Sequence, residues 1–282
     1  MILLFAVSTS LLAGGPWPQK KGKGYFKLSE WWVRFDQHFT SQGKLDPNIT
    51  TGVYNTTLYA EYGFTDRLTG VLNFPFFSRN TVNNIVSGTT GETITPGEAI
   101  NSIGDTELGI RYGLSEPGAR LPIAISLTLG LPFGIEVAGA ENNLQTGDGE
   151  FNQLLQAHVG SSFKWGKSNA YWSAQIGVNN RTNGFSDEFR WGVEAGVALA
   201  KNKLWLISRL NAVASFFNGD TAEDITSTSI FANNAEFISF GGEVNYYFTN
   251  KLGLSVGAAG AFTGRIIAAA PSFNVGVFLD LQ

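Results

Sequence analysis

The chain contains no cysteine, which excludes both a disulfide framework and a thiolate metal site. Charge is scarce as well: Asp, Glu, Lys and Arg make up 15% of 282 residues. The 19 Lys and Arg are scattered against a net charge of -4, so there is no basic footprint and nucleic acid is not an expected partner. After the first dozen residues no apolar run approaches the ~20 residues of a spanning helix, and mean hydropathy is only +0.01. Two histidines leave little for a His-based metal or catalytic site, and no cofactor or metal is expected. What the sequence does have is aromatic residues, at 13%, and 34 glycines, about 12% against a usual ~7%. That is the composition of a Gly-rich, aromatic-rich β protein.

The opening "MILLFAVSTSLLAGG" is an apolar segment ending in small residues, as in a secretory signal, although a positive n-region is missing. The expected organisation is a signal over residues 1–13 cleaved after Ala13, a periplasmic N-terminal segment over 14–24, and one barrel domain over 25–282.

Period-two alternation recurs twelve times, at 25–39, 52–62, 67–77, 103–114, 121–131, 152–163, 169–180, 188–200, 204–216, 236–248, 252–262 and 272–281. Most of these segments have the length of a tilted membrane-crossing strand. The connections alternate long and short, from 40–51 and 63–66 to 217–235 and 249–251. Long loops gathered at one end, with short turns at the other, are the signature of an outer-membrane barrel. Aromatics at strand ends, among them Trp31, Tyr54, Tyr62, Phe64, Phe74, Phe76, Tyr112, Phe163, Trp165, Tyr246 and Phe248, would form the interfacial girdles. The predicted fold is therefore all-β: an up-and-down transmembrane barrel of about twelve strands with short periplasmic turns and long extracellular loops, in the bacterial outer membrane.

With apolar residues facing lipid, alternation directs the others inward. The charged and amide candidates for the lumen are Arg34, Asp36, Glu61, Asp105, Glu107, Arg111, Arg190, Glu194, Arg209, Asn211, Glu243 and Asn245, and the aromatic ones are Tyr59, Trp205 and Tyr247. Both signs are present, which favours paired networks over a one-sign ring. Strands 121–131 and 252–262 offer Ala, Ser, Thr and Gly inward, leaving one slim, weakly polar sector. A hydrolytic barrel would need a Ser beside His158. A lipolytic pair belongs on the lipid-facing side, whereas His158 falls on the inward face, which Ser162 shares and Ser161 does not; a lone inward His reads as polar lining, so catalysis is not expected. Acidic loop residues Asp148, Glu150, Asp220, Glu223 and Asp224 lack calcium-loop spacing.

"SIGDTELGIRYGL" at 102–114, "LQTGDGEFNQLLQAHVGSSF" at 144–163 and "FTGRIIAAAPSFNVGVF" at 262–278 resemble the MetA-pathway of phenol degradation family. That family is similar to distant fatty-acid transporter barrels, and the resemblance implies passage of aromatic or other hydrophobic compounds. The segment at 14–24 is too short for the N-terminal hatch of those transporters, so hatch-gated lateral release does not carry over. The chain ends in "VGVFLDLQ" without the terminal aromatic of such barrels. The expectation is a monomeric channel contacting outer-membrane lipid and a small hydrophobic or aromatic solute, with a non-conducting platform built on the long loops as the alternative.

Overall fold

In the computed structural model the described residues are 14–220 and 231–281. The expected signal at 1–13, with its cleavage point, and the loop acids Glu223 and Asp224 lie outside them. Twelve long antiparallel strands close into a barrel. They are β1 (Gly24–Phe39), β2 (Leu45–Gly63), β3 (Leu68–Val82), β4 (Thr106–Gly113), β5 (Ile123–Leu131), β6 (Asn152–Trp165), β7 (Ser168–Arg181), β8 (Glu188–Leu199), β9 (Leu204–Ser215), β10 (Glu236–Tyr247), β11 (Leu252–Arg265) and β12 (Ser272–Asp280). Closure comes from β1, which pairs with β2 on one side and with β12 on the other, from Tyr25↔Asp280 to Val33↔Ser272. No long edge is left for the bilayer to solvate, which a membrane-spanning sheet requires.

The alternation sorts the faces physically. On β5, Ile123, Ile125 and Leu127 are exposed whereas Ala124 and Ser126 are buried. An apolar outside around a polar inside is the inverse of a water-soluble barrel. Tyr62, Phe64, Tyr112, Phe163, Trp165, Tyr246 and Phe248 are exposed at the short-turn end, as an interfacial belt requires. No helix among the described residues is long and apolar enough to cross a membrane.

The structure corrects the reading of β1. Arg34 and Asp36 are exposed on the outer face, and Trp31 instead packs inward against Val33, Phe35, Val53 and Ala268. The reason is strand length. At 16, 19 and 15 residues, β1, β2 and β3 exceed the ~9–11 that cross a bilayer. Above the membrane the outside is water, so the pattern reverts to that of a soluble sheet, charged outward and apolar inward. A second apolar cluster of Phe39, Ala261, Ile267 and Ala269 lies in the same extension. For the same reason the first connection shrinks from the expected 40–51 to a tight hairpin closed by Phe39↔Leu45.

Candidate functional site: a lumen closed by the N-terminal segment

Inward side chains near the short-turn end form a belt of ion pairs. Lys27 on β1 meets Glu243 on β10 at 3.2 Å; Glu243 also faces Arg209 on β9 at 3.4 Å, and Arg209 pairs with Glu194 on β8. Glu194 accepts from the Tyr171 hydroxyl of β7 at 2.6 Å. On the opposite wall Glu61 pairs with Arg111 at 2.9 Å and accepts from the Tyr59 hydroxyl at 2.5 Å. Lys27, Glu243, Glu61 and Arg111 are nearly water-free, so each depends on its partners: an isolated ion at such depth would cost several kcal/mol.

The N-terminal segment lies inside this belt. Lys21 bridges Gly63 and its N–H donates to Asp66, fixing the segment at the β2–β3 turn. The Gln19 N–H then donates to Thr69 at 2.7 Å, and its side chain donates to Glu61 at 2.9 Å. Trp17 crosses to the far wall, where its ring meets Tyr171 edge-on at 5.7 Å, and Pro16 is fully buried. Arg111 donates to the carbonyls of Gly14, at 2.6 Å, and Trp17, at 3.3 Å. Glycines in the wall make room: a Cβ at Gly63 would collide with the carbonyls of Gln19 and Lys20, and one at Gly113 would meet Pro18 at 2.8 Å. The segment expected merely at the periplasmic side thus occupies the lumen itself. Composition gave little warning, because "GGPWPQKKGKG" reads equally well as a solvated tail.

Further up the lumen is a cavity with about 590 Å³ of empty space, counting its open side, lined by Tyr59, Asn73, Glu107, Ser126, Gln156 and His158 among others. Ser126 Oγ lies 2.8 Å from His158 Nε2. This is a serine within reach of His158, though neither of the two weighed from sequence; it stands on β5, where the register sets Ser126 opposite Gln156 and Ala124 opposite His158. His158 Nδ1 makes no hydrogen bond, so no carboxylate orients the ring as a nucleophile's base requires.

The mouth is covered by residues 132–151. Asn80, buried on β3, donates to the Gln145 carbonyl at 2.9 Å, and Leu144 is fully buried. Asp105 lies before β4 rather than in its wall, and accepts the N–H groups of Gly134 and Asp148 at 2.9 and 2.8 Å. Alternation had directed it into the lumen. The bend at Gly104, whose N–H donates to Pro75, takes it out of the strand and makes it a loop anchor. Arg181 is the second anchor, facing Glu150, Asp148 at 3.3 Å and Glu188 at 2.8 Å. Burial, and then the charge of Asp148, push the Asp105 carboxyl up to about 7. Burial pushes Glu150 up to about 8 despite Arg181.

Of the remaining candidates, Glu107 accepts from Asn73 at 3.1 Å and Arg190 pairs with Glu188 at 2.6 Å, both on the inner wall. Asn211 and Asn245 stand opposite the buried Ser239 and Ser255 and so point inward. Trp205 rings with Tyr171 at 5.8 Å, and Tyr247 with the buried Phe278 at 4.9 Å. Sequence reasoning missed Lys27, Trp17 and Arg181, and it placed Ser126 inward without pairing it with His158. Correct phasing of β1 would have found Lys27; the others depend on contacts between distant segments.

No family model and no curated protein matches the chain, so the resemblance to the MetA-pathway family remains an expectation. Solved structures do match. The COG4313 outer membrane channel from Pseudomonas putida F1 is 16% identical, with a TM-score of 0.61 over 96% of this chain and 99% of that one. The KdgM porin in complex with disordered oligogalacturonate is 7% identical, TM-score 0.50, covering 92% and 99%. The β domain of the Bordetella autotransporter BrkA is 14% identical at the same TM-score and coverage. At such identities what is shared is the fold, and together with the apolar outer face it makes this chain a multi-pass β-barrel of the bacterial outer membrane.

Proposed function

We propose that this protein is a gated outer-membrane channel for small solutes, held closed by its N-terminal segment. The observation that carries the reading is the anchorage of Gly14–Lys20 across the lumen through Arg111, Glu61 and Thr69. Polar contacts, the Trp17 ring on Tyr171 and the buried Pro16 seat the segment, and none of its residues belongs to a barrel strand, so it can leave without unfolding the wall. The polar, ion-paired lining supports passage of aromatic solutes that also carry polar groups over passage of bare aliphatic ones, because Tyr59, Tyr171, Trp205 and Tyr247 put aromatic rings on the inner wall beside those polar groups. The fold shared with outer-membrane channels and porins supports the channel role.

The test is single-channel recording in planar bilayers of the refolded chain with and without residues 14–20. The truncated barrel is expected to conduct in discrete steps while the intact one stays mostly silent. Silence in a truncated barrel shown to be folded would abandon the channel for the loop platform. The Ser126–His158 pair favours a hydrolytic reading by distance alone, and the open Nδ1 of His158 argues against it.

A further inference from the structure

Three buried polar atoms that line the mid-lumen cavity make no hydrogen bond: Asn73 Oδ1, Gln156 Nε2 and His158 Nδ1. Gln156 and His158 are 4% and 7% exposed. Buried polar groups are ordinarily satisfied, so three open ones in one cavity call for an explanation. The surrounding bonds fix their roles. Glu107 accepts from Asn73 Nδ2, which leaves the Oδ1 as an acceptor facing the cavity. Ser126 engages His158 Nε2, which leaves Nδ1, and the Gln156 amide contributes a donor. The register explains why the site exists: Tyr59↔Asn73↔Glu107 continues around the wall to Ser126↔Gln156 and His158↔Gln175, while Gly109 and Gly177 stand between them without side chains. The lining holds one group of each sign, Glu107 and Arg111; Arg111 is already paired with Glu61 and also belongs to the latch that holds the N-terminal segment.

We infer that this cavity is a binding subsite for a small uncharged solute bearing hydroxyl groups. A hydroxyl donates to one partner and accepts from another, so two of them match the acceptor on Asn73 and the donor on Gln156. A charged solute would meet the wrong sign on one side, and a purely apolar one would leave all three atoms unsatisfied. The inference rests on the reading of the lumen as a solute path, and places the solute directly above the closed segment.

Saturation-transfer NMR on the full chain refolded in detergent tests it, with trans-1,2-cyclohexanediol as the probe and 1,4-dioxane, a water-miscible ring that can only accept, as the control. The diol is expected to receive saturation and dioxane not, and Gln156→Leu and Asn73→Leu are each expected to weaken the diol by about tenfold. Equal signals from the two rings, or diol binding unchanged in variants that keep the heat-modifiable mobility of a folded barrel, would overturn the subsite. The comparison on the unaltered chain decides the matter even where a variant does not fold. A barrel that conducts without preferring the diol loses the subsite and keeps the channel; one that binds the diol and stays silent without residues 14–20 does the reverse.

Discussion

Arg111 ties the wall of the closed lumen to its contents: it holds the Glu61 carboxylate and two carbonyls of the N-terminal segment. Arg111→Ala therefore has two effects. It strands Glu61, which is 2% exposed, at a cost on the order of 3–5 kcal/mol for a buried pair losing one member. It also frees the segment. The expected outcome is a less heat-resistant barrel that conducts with residues 14–20 still present. Gly63→Ala separates the two effects, because it leaves the ion pair intact and only pushes against the carbonyls of Gln19 and Lys20. Conduction in Gly63→Ala with little loss of heat resistance would show that seating of the segment sets the conductance. A silent Gly63→Ala barrel would show that it does not.

Among the elements, the mouth loop at 132–151 is held by groups that titrate. Asp105, raised to about 7, and Glu150, raised to about 8, both favour their protonated forms when the loop is docked. Released into water each would titrate near the ordinary carboxylate value of ~4. The docked loop is therefore favoured fully below about pH 4 and loses that advantage as pH rises through 7 and 8, where the carboxyls of Asp105 and Glu150, each beside Asp148, lose their protons. A spin label at Asn142→Cys, an exposed position, is expected to report an immobile loop at pH 5 and a mobile one at pH 9. Asp148→Asn, which removes the like charge, is expected to lower the Asp105 midpoint. A label indifferent to pH would refute the latch. How much was legible in sequence also shows at this scale. The regular strands could be read directly, since Ile123, Ile125 and Leu127 alternate cleanly with Ala124 and Ser126. The loops could not, because Asp105 reads as one more inward residue until the bend at Gly104 is known, and no local pattern ties it to Gly134, 29 residues on.

Over the whole molecule, one barrel passes through two solvents, and that explains both what the sequence disclosed and what it hid. In the bilayer the polar face turns inward, so Glu61, Arg111, Glu194, Arg209 and Glu243 declare themselves by phase. In the extension above it the rule reverses, and the apolar inner face of Val33 and Phe35 has the pattern of an outer one, which is why phase alone directs Arg34 and Asp36 inward. Closure bears on β12 as well. The seam between β1 and β12 is packed from within by Phe278, 1% exposed, against Tyr25 at 5.6 Å and Tyr247 at 4.9 Å, while Tyr247 donates to Asp280 at 2.9 Å. An aromatic turned into the lumen thus secures the last strand. Phe278→Ala leaves a cavity that the rigid wall cannot collapse around, at a cost of about 3–5 kcal/mol. Phe273→Ala, on the outer face of the same strand and 42% exposed, removes a ring that lipid can replace. The expected result is a marked fall in the temperature at which the Phe278→Ala barrel loses its compact electrophoretic mobility, and a small change for Phe273→Ala. Equal losses would place the closure energy in the backbone ladder rather than in the aromatic seam.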